Sequence, residues 1–140
     1  MKSGPIIAIE NDVDDKEVFE DILNNLEVAN KLIWFDNCDA AFGYLKTTTD
    51  QPFIIFCDVN VPGLSGMQFK RQIDEDHQLR KKSIPFVFYS TSVDQKTVNE
   101  AYTHMTVQGF FQKENSIGEM TKTVRLILDY WNECKHPNTK

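Results

Sequence analysis

Phe53-Ile54-Ile55-Phe56-Cys57-Asp58-Val59-Asn60-Val61-Pro62-Gly63-Leu64-Ser65-Gly66 changes character in its middle. Five apolar residues come first, the composition of a strand buried on both faces. A carboxylate ends the run, and a Pro/Gly turn follows. Asp58 at the mouth of a buried strand is poorly placed for a core and well placed for chemistry. The strand orients it, the turn exposes it, and the apolar run behind it keeps it fixed.

Outward from this stretch, strand-like and helix-like patterns alternate. Residues 5–9, 31–35, 53–57, 84–89 and 107–111 are short apolar runs of strand type. Residues 14–26 carry Val18, Phe19, Ile22, Leu23 and Leu26 on one helical stripe. Residues 38–46 read as a short helix capped by Asn37 or Asp39. A helix starts near Ser65, with Gln68 as its capping-box partner and Phe69 and Ile73 inward. Residues 94–105 place Val98, Ala101, Tyr102 and Met105 at helical spacing. Ser116 with Glu119 predicts a second capping box, before the stripe Met120, Val124, Ile127, Leu128 and Trp131.

Five strands alternating with five helices predict an α/β domain: a doubly wound, five-stranded parallel sheet with helices on both faces. The expected strand order is the flavodoxin-like 2-1-3-4-5, whose switch point lies between strands 1 and 3. One domain is expected over residues 1–135, with 136–140 as a flexible tail.

The bulk properties agree. The 140 residues suffice for one core, and the 41% hydrophobic content argues against disorder. The net charge of −6 argues against a nucleic-acid partner. No apolar run approaches membrane-span length, and MKSGPII lacks the apolar core of a signal peptide, so no membrane association and a cytoplasmic location are expected. Cys38, Cys57 and Cys134, and His77, His104 and His136, show no metal-ligand or redox spacing. Asp14, Asp15 and Glu17 suit the positive end of a helix and call for no other role.

In this fold four strand ends converge on one cleft. Strand 1 ends in Glu10-Asn11-Asp12, strand 3 in Asp58 with Asn60 two residues on, strand 4 in Ser90-Thr91-Ser92, and strand 5 in Lys113. Magnesium favours carboxylate, carbonyl and phosphate oxygens. A carboxylate nucleophile makes an acyl phosphate, and a lysine and a hydroxyl hold its oxygens. The set suits a phosphoryl group handled with a divalent cation.

The chain resembles the receiver domain of two-component response regulators, of the single-domain kind, from Ile6 to Trp131. Asp58-Val59-Asn60-Val61-Pro62-Gly63-Leu64-Ser65-Gly66 fits that family's Asp-x-x-x-Pro-x-x-x-Gly segment. The resemblance implies that Asp58 is a phosphoacceptor served by a histidine kinase or phosphotransfer protein. It implies Glu10, Asn11, Asp58 and the Asn60 carbonyl as the Mg2+ site, Ser90 as the switch hydroxyl, Lys113 as the lysine that pairs with phosphate, and Phe110 as the switch aromatic. Thr91 lines the entrance, and Asp12 is the alternative to Asn11. Phosphorylation would then switch a face made by the fourth helix, strand 5 and the last helix. That face would bind a separate downstream effector or a second copy as a homodimer. No enzyme activity beyond the domain's own phosphorylation and dephosphorylation is implied.

Two residues depart from the pattern. Asn11 stands where a metal-ligating carboxylate is expected, so magnesium affinity should fall. Glu114 stands where the family has proline. A cis bond costs about 0.5–1 kcal/mol before proline and roughly 3–4 kcal/mol before other residues, which disfavours one at Lys113–Glu114. Both departures motivate the alternative of a phosphate-independent receiver that acts as a protein-binding module. A haloacid-dehalogenase-type phosphatase would instead carry Asp-x-Asp on the first strand. A flavodoxin would need a hydroxyl- and Gly-rich loop where Glu10-Asn11-Asp12 stands.

Overall fold

The computed structural model describes residues 2–137. Five strands, β1 (Ile6–Ile9), β2 (Leu32–Phe35), β3 (Ile54–Cys57), β4 (Phe86–Ser90) and β5 (Gly109–Gln112), form one parallel sheet in the order β2-β1-β3-β4-β5. This is the order expected from the sequence. The helices are α1 (Val13–Asn25), α2 (Cys38–Thr47), α3 (Gly66–Glu75), α4 (His77–Lys82), α5 (Gln95–His104) and α6 (Ile117–Glu133).

The two-residue period of the strands divides the core. Ile7, Ile9, Ile55, Cys57, Phe86 and Phe88 pack with side chains of α2, α3, α4 and α5. Ile6, Ala8, Ile54, Phe56, Val87 and Tyr89 pack with α1 and α6 through Phe19, Ile22, Val124 and Leu128. Each large apolar side chain buried completely, such as Phe69, Phe86 or Phe88, stabilises the fold by about 1.5–3 kcal/mol.

Among the described residues there are six helices where the sequence predicted five. The extra one, α4, spans six residues and buries Leu79 alone, too little to show a helical period. Asp76 both ends α3 and begins α4: its N–H donates to the Gln72 and Ile73 carbonyls, and its Oδ1 accepts from Leu79 N at 3.0 Å. β4 begins at Phe86, two residues later than predicted, because Pro85 has no N–H for a ladder. The capping box at α3 closes on both sides, Ser65 N to Gln68 Oε1 at 3.0 Å and Gln68 N to Ser65 Oγ at 3.2 Å. At α6 the Ser116 hydroxyl accepts from Glu119 N at 3.2 Å.

The tail expected at 136–140 starts with a docked residue. His136 is 5% exposed; its Nε2 lies 2.6 Å from the Phe53 carbonyl, and its ring stacks on Phe53 at 5.4 Å. An imidazole has an apolar face and polar edges, so it can be buried where one carbonyl awaits a donor. The rest of that tail, 138–140, lies outside the described residues. Among the described residues, no helix is long and apolar enough to cross a membrane.

Candidate functional site

The site forms where β1 and β3 lie side by side while their following helices, α1 and α3, cover opposite faces. Asp58 N donates to the Ile9 carbonyl at 3.0 Å, which carries the ladder one residue past β3 and fixes the carboxylate at the sheet's end. The turn beyond depends on two glycines. Gly63 has φ of 80°, in the left-handed region. Gly66 starts α3 so close to the end of β3 that a Cβ there would lie 2.3 Å from the Asp58 carbonyl oxygen.

Four groups engage the Asp58 carboxylate. Oδ1 accepts from the Ser90 hydroxyl at 2.5 Å and from Asn60 N at 2.9 Å. Lys113 Nζ lies 3.5 Å from Oδ2. Glu10, at the end of β1, also bonds to Asp58. Ser90 is fully buried, and its Oγ also accepts from Val59 N at 3.1 Å, so it ties β4 to the segment after β3. Lys113 N donates to the Ser90 carbonyl at 2.8 Å, which aims its side chain at the same point.

The lysine leans away from Asp58. Its Nζ lies 2.8 Å from Glu10 Oε1 and 3.2 Å from Asp15 Oδ2, above the Tyr89 ring at 5.6 Å. Burial works against the Lys113 charge, but Glu10, Asp58 and Asp15 outweigh it and raise its pKa. Burial pushes Glu10 up to about 8, Asp58 adding to the rise and Lys113 opposing it. For Asp58, burial also pushes up, but hydrogen bonds from Glu10, Ser90 and Asn60 N, together with the Lys113 charge, win and lower it. One ammonium faces three carboxylates, and between Glu10 and Asp58 it is Glu10 whose pKa rises. Its second oxygen, Oε2, is buried with no hydrogen-bond partner.

The structure therefore brings Glu10, Asp58, Asn60, Ser90 and Lys113 together. Asn11 and Thr91 are exposed at the rim. Asp12 is engaged elsewhere, since its Oδ1 accepts from Asp14 N at 2.9 Å and Asp15 N at 3.2 Å as the N-cap of α1. Phe110 lies outside the cleft, its ring 5.3 Å from Phe88 and its N–H donating to the Tyr102 hydroxyl at 3.0 Å. The Lys113–Glu114 bond is trans.

Two site residues were not anticipated. Asp15 enters the cleft from the first turn of α1, where the sequence reading gave it no role beyond the helix end. Tyr89 reads as an ordinary strand aromatic, yet its hydroxyl is buried without a partner. It lines a cavity of about 60 Å3 beneath Glu10 and Lys113, together with Ala8, Phe19, Phe56 and Met120. The signal for Asp15 was its place three residues after the N-cap, where side chains point back over the helix start. Trp34 supports the site from β2, its Nε1 donating to the Glu10 carbonyl at 2.7 Å.

The chain matches the family model for the response regulator receiver domain over residues 6–125. Among solved structures, it is similar to the phosphorylated cyanobacterial phytochrome response regulator RcpA, with a TM-score of 0.84 at 21% identity, covering 96% of this chain and 98% of that one. The response regulator RPA3017 in red light signaling of R. palustris gives 0.83 at 21%, covering 96% and 99%. The receiver domain of sensor histidine kinase PA1611 from Pseudomonas aeruginosa, with magnesium coordinated in its active site cleft, gives 0.70 at 17%, covering 91% and 95%. At these identities the likeness is one of fold. No curated protein matches.

Proposed function

The chain belongs to the response regulator receiver family, and from that premise we propose that Asp58 is its phosphoacceptor, served by the phosphohistidine of a histidine kinase or phosphotransfer protein. The observation that carries this reading is the convergence of Ser90 Oγ and Lys113 Nζ on the two oxygens of one carboxylate at a strand end. Oδ1 already takes two hydrogen bonds, so Oδ2 is the freer nucleophile. Asp58 Oδ2 attacks phosphorus, the P–N bond breaks, and its electron pair returns to the donor imidazole, which takes up a proton. Ser90 and Lys113 then hold oxygens of the transferred group, since hydrogen bonds to ionised acceptors are the strong ones.

The donor set fits magnesium. Glu10, Asp58 and the Asn60 carbonyl supply hard oxygens, the Asn11 amide can add a neutral one, and the orphaned Glu10 Oε2 is a buried acceptor in want of a partner. Among the described residues, no three His, Cys, Asp or Glu side chains form a ready cage. The ion would therefore rest on two carboxylates plus neutral oxygens, and bind more weakly for want of an acid at position 11. When bound, it neutralises charge on the phosphoryl oxygens.

Phosphorylation gives Ser90 new acceptors and disturbs its bond to Val59 N. The change reaches Phe110 through Phe88, the neighbour of Phe110 across the β4–β5 ladder. The face of α5, β5 and α6 then meets a separate effector or a second copy. The chain acts as a signalling switch rather than a turnover enzyme, in the cytoplasm. The lean of Lys113 toward Glu10 and Asp15, with Asn11, favours a second reading, a phosphate-independent binding module.

Intact mass after treatment with phosphoramidate and magnesium decides between them. We expect a gain of one phosphoryl group in the wild type and none in Asp58→Asn. A wild type that gains nothing at high magnesium overturns the phosphoacceptor reading.

A further inference from the structure

Lys113 has three N–H donors and three carboxylate neighbours, and it favours the two that are not the phosphoacceptor. Nζ is 2.8 Å from Glu10 and 3.2 Å from Asp15, against 3.5 Å from Asp58. A phosphoryl group on Asp58 would bring about −1.5 to −2 of charge and three strong acceptors. To reach them, the ammonium must loosen one of its present contacts.

The two contacts differ in what they leave behind. The Glu10 side chain is 10% exposed, and its Oε2 already lacks a partner. Withdrawing the lysine would take the neighbouring cation from a buried carboxyl group whose second oxygen is already unsatisfied, which is costly. The Asp15 side chain is 38% exposed, so water can take the place of the ammonium there. Asp15 is also held in register: its own N–H is fixed by the Asp12 cap.

Resting on the phosphoacceptor reading, we propose that Asp15 is a positioning residue that parks the Lys113 ammonium on the α1 side in the resting chain and yields it to the phosphoryl group. It competes with the phosphoryl group for one donor, and so sets how readily the modified state forms.

The test is titration with beryllofluoride, a phosphoryl mimic, at saturating magnesium. The emission of Trp34 reports it, in a Trp131→Phe background, because the Trp34 indole bonds to the Glu10 carbonyl. We expect Asp15→Asn to bind the mimic about three- to fivefold more tightly, the size of a half-exposed ion pair released. Asp15→Glu, which keeps the charge, should stay within about twofold of the wild type. Asp14→Asn, whose side chain has no contact with Lys113, controls for the loss of one nearby charge and should stay close to the wild type. Unchanged or weaker binding in Asp15→Asn overturns the proposal, weaker binding assigning Asp15 to the cation instead. Equal tightening in Asp14→Asn overturns it too, because the effect would then be general charge. A wild type that binds no mimic at all overturns the phosphoacceptor reading along with it.

Discussion

Gly66→Ala should separate the structural from the chemical role of the turn after Asp58. The new methyl would sit 2.3 Å from the Asp58 carbonyl oxygen, 3.1 Å from its carbon and 3.1 Å from Val59 Cα. All three neighbours are backbone, so no flexible side chain can swing aside. Relief to the closest contact that real Cβ atoms show, from 2.3 Å to 3.0 Å, needs a shift of about 0.7 Å. Overpacking of this kind costs about 1–3 kcal/mol, set against at most ~1 kcal/mol gained from the helix preference of alanine. The Asp58 backbone is tied to Ile9 and its carboxylate to Ser90, so a shift of its carbonyl is passed to Oδ2. A misplacement near 1 Å can cost on the order of 100-fold in rate, so the phosphoramidate reaction should slow roughly ten- to a hundredfold. Two assays check this: the urea midpoint at unchanged m-value, and the rate of mass gain under saturating magnesium. Gly43→Ala in α2 is the control. Its Cβ meets nothing within 4 Å, so it should stabilise by about 0.4–1 kcal/mol and leave the rate alone. A Gly66→Ala chain with wild-type midpoint and rate would refute the close approach. A lowered midpoint with a normal rate would show that α3 moves and Asp58 does not.

Three further outcomes follow from other contacts. Lys70 is 4% exposed, 2.8 Å from Asp74 Oδ1 and 3.1 Å from the Thr106 hydroxyl, so Lys70→Met should lower stability by about 3–5 kcal/mol in a denaturant titration, more than a Lys70→Met/Asp74→Leu double variant does. Burial pushes Asp74 up, but Lys70 and Thr106 outweigh it and hold its carboxyl below the usual range. Its contribution is therefore complete above the unfolded value, near pH 4, and lost as pH falls through the folded one; Asp74→Asn should flatten the acid limb of the urea midpoint against pH. Tyr102→Phe removes the acceptor for the Phe110 amide on the edge strand β5. It should cost about 0.5–1.5 kcal/mol and speed exchange of that amide by NMR, and unchanged exchange would show that the hydroxyl does not hold the edge.

What the sequence disclosed, and what it hid, follows from the range of the forces involved. The buried strands were legible because Ile54, Ile55, Phe56 and Cys57 must be covered on both faces, whatever the rest of the chain does. Asp58, Ser90 and Lys113 were legible because strand order alone brings strand ends together, and a turn or a hydroxyl at a strand end is visible locally. Helix α4 was not, because one buried leucine in six residues makes no pattern. His136 was not, because its burial depends on a carbonyl 83 residues away.

Asp15 is the instructive case. An acid in the first turn of a helix has a sufficient local explanation in the helix dipole, and that explanation hid a non-local one. Its partner is Lys113, 98 residues on, and the contact exists because Asp12 caps α1 in a register that turns Asp15 toward the cleft. The loss of a carboxylate at position 11 therefore does not leave this cleft poor in negative charge. Glu10, Asp15 and Asp58 all lie within 3.5 Å of one ammonium. What Asn11 changes is where the charge sits: beside the lysine rather than at the rim. A cleft built that way should hold its cation less firmly and its lysine more firmly. A phosphoryl group on Asp58 would then have to win the lysine from Asp15, and the exposure of Asp15 would keep the cost of that exchange low.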